Sequence, residues 1–255
     1  MKFFKFFCRY IFNHPVYLLI YCSCYALPGF GQKINFYEKN QINRLLSDGK
    51  SIIRLGDGEV YILLDTAMEF HSANTALKKE LKKIVKNYHS SSNYVLALPE
   101  QIQNSNSALK KDGVKNTWLP FKVIYYLTFP KKVKYVDAHM FYPFYDKTTF
   151  ANEVMPFLKK KNLVFITKER TINNIKKSNI FLNEATYVIT PEHDAYGCYN
   201  EIKSEIDIAC EKFGDKSEVV LLFALGPVGK VMAYYYTKQN YQSIDIGKGF
   251  DFLFS

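Results

Sequence analysis

The stretch Val219-Val220-Leu221-Leu222-Phe223-Ala224-Leu225-Gly226-Pro227-Val228-Gly229-Lys230 decides the fold. An apolar run of strand length closes on Gly-Pro and then becomes a helical pattern through Lys238, which reads as a buried strand, a tight loop and a helix. Beyond it, Tyr241-Gln242-Ser243-Ile244-Asp245-Ile246-Gly247-Lys248 forms a second short strand that also ends in glycine. Strand, helix, strand at this spacing is one βαβ unit, and it puts Gly226 and Gly247 at the same carboxyl-terminal edge of a parallel sheet. Open α/β sheets bind their ligands at that edge. A helix opening at Gly226-Pro227 offers free backbone N–H groups and the positive end of its dipole to phosphate oxygens, with Gly229 allowing close approach and Lys230 adding a point charge. The same glycine and proline also serve simply to stop a strand and start a helix. The spacing matches neither a Walker loop nor a full dinucleotide fingerprint.

Working outward, the same alternation fills the chain. Strands are expected at Ser51 to Leu55, Tyr94 to Leu98, Lys134 to Ala138, Leu163 to Thr167, Thr186 to Ile189, Val219 to Leu225 and Ser243 to Ile246. Helical patterns fall between them: Tyr37 to Ser47, Val60 to Met68, Thr75 to Tyr88, Thr117 to Leu127, Phe150 to Lys159, Ile172 to Leu182, Ala195 to Phe213 and Gly229 to Gln239. Such alternation predicts a Rossmann-like α/β fold, a mostly parallel sheet with helices on both faces. No internal repeat interrupts it, and the polar stretch Asn104 to Asn116 is the expected flexible loop.

The densest chemistry lies in Arg54-Leu55-Gly56-Asp57-Gly58-Glu59, directly after Ile52-Ile53. Two carboxylates two residues apart on an extended chain point the same way, which makes a grip for a divalent cation, while Gly56 and Gly58 let backbone approach a ligand. Arg54 adds a planar cation suited to phosphate or carboxylate. Gly-Asp-Gly is also ordinary turn chemistry.

Taken together, Arg-x-Gly-Asp-Gly-Glu, Leu225-Gly226-Pro227 opening a helix, and Tyr241-Gln242-x-Ile244-Asp245-Ile246-Gly247 resemble the bacterial glycosyltransferases of the GT-D fold type. Pro191-Glu192-His193-Asp194-Ala195-Tyr196 is similar to that family's proline-to-helix segment, and Phe141 to Lys147 is a weaker match. The resemblance runs from about Ile34 to Phe254. It implies that Asp57 and Glu59 hold a divalent cation, manganese or magnesium, on the diphosphate of a sugar nucleotide such as a UDP-sugar. Arg54, Gly56, Gly58, Gly226, Pro227, Gly229, Lys230, Gly247 and Lys248 are then expected to surround that donor. Two departures stand out. Where the family continues with a histidine after Asp-Ile-Gly, this chain has Lys248-Gly249-Phe250-Asp251-Phe252, and an arginine of the middle segment is His139 here. A base to deprotonate an acceptor hydroxyl is then sought among Asp251, Asp245, Glu169 and His139.

Composition bounds the rest. At 255 residues and 48% apolar the chain can bury one substantial core. One domain over residues 31–255 is expected, preceded by a basic, aromatic segment at 1–30. The net charge of +10 is overwhelmingly lysine, the arginines being only Arg9, Arg44, Arg54 and Arg170. Base readout and bidentate phosphate clamping favour arginine, so nucleic acid is not the expected partner. Lysine pairs such as Lys78-Lys79 and Lys82-Lys83 read as solvated helix faces, and a basic surface suits anionic headgroups. Residues 1–30 carry Lys2, Lys5 and Arg9 with no acid, but their apolar core is shorter than a spanning helix needs. An amphipathic segment on the inner membrane surface, or an additional core helix, fits this pattern. Five cysteines without a Cys-x-x-Cys pair fit reduced thiols. A cytoplasmic transferase using a nucleotide sugar and a glycan or lipid-linked glycan acceptor is the expected function. The alternatives are an adenosyl-dependent methyltransferase and a non-catalytic subunit of a glycan-assembly complex.

Overall fold

The computed structural model describes residues 33–63, 75–103, 121–142 apart from 123 and 127, and 147–253 apart from 179 and 181–184. The expected segment at 1–30 and the loop from Asn104 to Asn116 lie outside the described residues.

Eight strands form one sheet: β1 (Asn35–Phe36), β2 (Ser51–Arg54), β3 (Tyr94–Leu98), β4 (Lys134–Asp137), β5 (Asn162–Thr167), β6 (Ala185–Ile189), β7 (Val219–Phe223) and β8 (Gln242–Asp245). Their order is β1-β4-β3-β2-β8-β7-β5-β6, and every pairing is parallel. The seven expected strands are all present within a residue or two of their predicted limits. The eighth, β1, has two residues, too few to leave a periodic signature. In β3 and β7 every residue is buried, as strands covered on both faces must be.

The helices are α1 (Ile42–Ser47), α2 (Asp57–Leu63), α3 (Thr75–Lys86), α4 (Lys147–Thr149), α5 (Met155–Leu158), α6 (Glu169–Ser178), α7 (Tyr199–Glu211), α8 (Gly226–Lys238) and α9 (Gly249–Leu253). A π-helical stretch, Phe150–Val154, joins α4 to α5. Helix α3 shows how sequence makes a lid: Leu77, Leu81, Ile84 and Val85 point inward, while Lys79, Lys82, Lys83 and Lys86 face solvent. Helix α8 is different. Ten of its residues, Pro227 to Tyr234 with Tyr236 and Thr237, are buried. It packs over β2, β7 and β8 and is itself covered by α3. Because β5-α6-β6 runs outward and β6-α7-β7 runs back, right-handed crossovers place α6 and α7 on opposite faces.

Two local expectations change. The first turn of α2 begins at Asp57, so Asp57-Gly58-Glu59 is helical and not extended. The extended backbone from which a shared direction at positions 57 and 59 was expected is therefore not the one observed. The helix expected from Ala195 begins later, at Tyr199 after Cys198, and Asp194 sits in the preceding turn with φ +48°.

Candidate active site

Three glycine turns meet at the carboxyl edge where β2, β8 and β7 are neighbours: Gly56 after β2, Gly226 after β7 and Gly247 after β8. Gly226 and Gly247 hold φ +59° and +58°, a region L side chains avoid. At Gly247 there is also no space, because a Cβ there would lie 1.9 Å from Arg54 Nη1.

Beneath these turns lie four buried charges. Lys230, on α8, contacts Glu59 Oε1 at 3.3 Å and Asp245 Oδ2 at 3.1 Å, and donates to the carbonyl of Gly226 at 3.1 Å. An ammonium has three N–H groups, and here three acceptors from three segments surround it. Arg54 Nη1 donates to Ile246 O at 2.9 Å and Nη2 to the Tyr142 hydroxyl at 2.7 Å. Asp245 Oδ1 accepts from the Gly247 amide at 3.2 Å, and Glu59 Oε2 accepts from the Gly56 amide at 2.7 Å. Exposure is 7% for Arg54, 5% for Glu59, 5% for Lys230 and 0% for Asp245, so each charge depends on its neighbours for solvation. Burial works against the charge on Lys230, but Asp245 and Glu59 outweigh it and raise its pKa. Burial likewise opposes the charge on Arg54, and Tyr142, Asp245 and Glu59 again raise its pKa. Both bases are therefore cations; burial raises the pKa of Asp245, and Lys230 and Arg54 act against that rise.

This arrangement relocates several residues of the sequence reading. Arg54 and Lys230, expected to face phosphate, turn inward and hold protein groups. Glu59, expected on a cation, has both oxygens engaged by Gly56 and Lys230. Asp245, a candidate base, is closed off from any acceptor. Among the described residues no group of three or more His, Cys, Asp or Glu side chains is placed to hold a metal ion. The cation grip expected of Asp57 and Glu59 rests on the resemblance, and no step below is routed through a cation. Gly58 lies in the first turn of α2, and Gly229 sits against Leu225 and Phe223 with Asp245 Oδ1 3.9 Å from where a Cβ would be. Lys248 is exposed beside the Gly247 turn.

The remaining candidates lie farther out along the same edge. Asp251 is on α9, where Thr171 donates to its Oδ1 at 2.5 Å and Lys168 Nζ stands 3.6 Å from its Oδ2. Helix α9 is seated by Phe250 against Phe165, ring centroids 5.3 Å apart, and by Gly249, where a Cβ would meet Phe141 O at 2.6 Å. Glu169 is exposed in the first turn of α6 and lines a cavity with Arg170, Asn173, Asn174 and Thr190. His139 is nearly buried in the turn after β4, with Nδ1 3.6 Å from Asp137 Oδ1. Sequence reasoning missed Tyr142. The weak similarity from Phe141 to Lys147 was its only signal, and a lone tyrosine after a strand does not show that it will meet an arginine 88 positions away.

An all-parallel sheet with three glycine turns at one carboxyl edge is the build of an α/β enzyme that handles a phosphate-bearing ligand. The comparisons are more particular. Residues 52–251 match the family "Glycosyltransferase GT-D fold", and the chain belongs to that family. Glycosyltransferase GlyD of Streptococcus pneumoniae serotype 4 is 22% identical over 222 residues, covering 81% of this chain. The chain spans about a quarter of that relative's length. A selenomethionine structure of the domain of unknown function 1792 superposes with TM-score 0.73 at 17% identity, covering 93% of this chain and 83% of its own. A structure described as a new glycosyltransferase of the same domain class, from Streptococcus sanguinis, gives TM-score 0.71 at 19% identity, covering 87% and 84%. These likenesses confirm the Rossmann-like parallel fold.

Proposed function

We propose that this chain moves a sugar from a nucleoside-diphosphate sugar, a UDP-sugar in the first instance, to a hydroxyl of a glycan or lipid-linked glycan at the inner face of the membrane. The observation that carries the reading is the convergence of the Gly56, Gly226 and Gly247 turns at one sheet edge. There, backbone N–H groups at the start of α8 can approach a diphosphate without interference from side chains. Arg54 and Lys230 are buried and turned toward protein groups, so attraction for the anionic donor comes from the α8 terminus and from exposed Lys248. Manganese or magnesium dependence is carried by the family resemblance; a bound cation would neutralise charge on the leaving diphosphate.

On the acceptor side, Asp251 is the nearest in sequence to the Gly247 turn of the candidates that are not buried. It is partly exposed, four residues beyond Gly247, and held in orientation by Thr171 and Lys168. In this reading it takes the proton of the attacking hydroxyl. Asp251→Asn lowers kcat by about a hundredfold or more while leaving donor binding in place.

Isothermal calorimetry of the purified chain against a panel of nucleotide sugars, with and without manganese, tests the donor assignment. One sugar nucleotide is expected to bind in the micromolar range and to be turned over with a glycan acceptor. Absence of binding across the panel, with S-adenosylmethionine or no ligand bound instead, overturns it.

A further inference from the structure

Glu59 stands where the motif reading puts a cation ligand, yet its contacts describe another task. It is the third residue of α2, and its carboxylate reaches back to the amide of Gly56, the residue before the helix. That is the return half of a capping box, here without a Ser or Thr partner. The second oxygen is used by Lys230, which also holds Asp245 and the Gly226 carbonyl, while Asp245 holds the Gly247 amide. One chain of polar contacts therefore runs from the Gly56 turn through Glu59, Lys230 and Asp245 to the Gly247 turn, with a branch to Gly226. These segments lie far apart in sequence and belong to three different strands. Arg54 closes the ring by holding Ile246 O, and its guanidinium fills the space beside Gly247.

We infer that Glu59 is a positioning residue and not a cation ligand: with Lys230 and Asp245 it locks the Gly56, Gly226 and Gly247 turns into one cradle. Both oxygens of this carboxylate are already held inside the protein, one by an amide at 2.7 Å and the other by an ammonium at 3.3 Å. A cation drawn to it would also stand beside Lys230. The inference rests on the donor reading only for where the cradle faces; the cradle itself is a property of the unliganded protein.

Two substitutions separate the roles. Glu59→Gln keeps an oxygen for the Gly56 amide, whereas Glu59→Ala removes both contacts. Hydrogen–deuterium exchange of the unliganded chain well below its melting temperature is the first readout. Glu59→Ala should speed exchange roughly tenfold in the segments 54–59, 225–230 and 245–249 together, with Glu59→Gln staying near wild type. Acceleration confined to 54–59 means that the turns are not coupled, and the cradle is wrong. The second readout is manganese binding in the presence of UDP, followed by the paramagnetic relaxation of water protons. Glu59→Gln is expected to hold the ion within about threefold of wild type. A folded Glu59→Gln protein that loses manganese restores the ligand role and overturns the inference. If the wild-type chain binds neither manganese nor UDP, the donor reading fails while exchange still decides the cradle.

Discussion

The seam between β2 and β8 is closed in two different ways at its two ends. Its middle is short, a single aligned pair, Ile52 with Ile244, against four between β2 and β3 and four between β7 and β8. At the amino end the closure is neutral. Ser51 Oγ accepts from the Ser243 amide at 2.9 Å and lies 2.8 Å from Thr237 Oγ1, and Gln242 Nε2 donates to Leu46 O and Lys50 O. At the carboxyl end the closure is made of four charges. Neutral buried hydrogen bonds stabilise by about 1 kcal/mol each, whereas buried ion pairs recover their desolvation cost only with good geometry. Holding two strands together therefore does not require charge, as the amino end demonstrates. The charges sit where three glycine turns meet, turns that the proposed function needs fixed relative to one another, and this is the physical account of why an expensive arrangement stands at that end.

Lys230→Met breaks the comparison most sharply. It leaves two buried carboxylates without their shared cation, and removing one partner of such a pair costs about 3–5 kcal/mol. For a chain of this length that corresponds to a fall in Tm of roughly 6–20 °C, read by scanning calorimetry. Adding Glu59→Gln removes one of the stranded charges, so the double variant should be less destabilised than the two single effects combined. Simple additivity would mean that Lys230 and Glu59 do not interact.

Gly247→Ala follows in size. The new methyl would overlap Arg54 Nη1 and sit at φ +58°, so the guanidinium must leave Ile246 O. A loss of about 2–3 kcal/mol is expected, with UDP binding weakened more than tenfold because the turn itself moves. Gly49 supplies the control. Its φ is +75°, but a Cβ there meets nothing within 4 Å. Gly49→Ala should cost about 1 kcal/mol and leave nucleotide binding unchanged. Equal effects on binding at the two glycines would show that backbone strain alone, and not the arginine contact, is responsible.

How far the sequence could be read follows from the same contrast. The βαβ unit from Val219 to Ile246 was legible because an all-apolar strand, a Gly-Pro stop and an amphipathic return are local signals. The glycines at 56, 226 and 247 were legible for the same reason, since each marks a local backbone demand. The partners of Arg54, Glu59, Lys230 and Asp245 were not. A lysine in the first turns of a helix after Gly-Pro looks like a phosphate contact from its neighbours in sequence; it faces inward, where two carboxylates, one from α2 and one from β8, meet it. Asp57-Gly58-Glu59 illustrates the point at shorter range: two glycines within four residues suggested an extended loop, but the Glu59 back-contact to Gly56 starts a helix instead. Propensity favours the loop and a single charge-assisted hydrogen bond overrides it.

Ser51→Ala probes the neutral end. It removes the acceptor of the buried Ser243 amide, an unsatisfied donor worth about 1–2 kcal/mol. Chemical denaturation should show that loss in the midpoint without a change in slope, and nucleotide binding measured well below the transition should match wild type. Weakened binding here would mean that the amino end also tunes the cradle, and the division of labour between the two ends would be wrong.

The smallest effect belongs to Lys161, beside the same end of the seam. A cavity of about 680 Å³ opens there, lined by Lys160, Lys161, Lys216, Asn93 and Tyr241, and by size alone it would attract a nucleotide assignment. Its chemistry argues otherwise. Lys161 is already paired with Glu218 at 3.1 Å and donates to Ser217 O at 3.0 Å, and Lys216 stands 4.7 Å over the Tyr241 ring. The cavity also lies at the amino ends of the strands; the Gly49 turn lines it, but none of its lining residues opens an α-helix. With its carboxylate partner half exposed, the Lys161 pair is worth less than about 1 kcal/mol. Lys161→Ala should therefore shift Tm by no more than a few degrees and leave UDP affinity unaltered. A clear drop in affinity would move the donor to the opposite edge of the sheet, taking the three glycine turns out of the reaction.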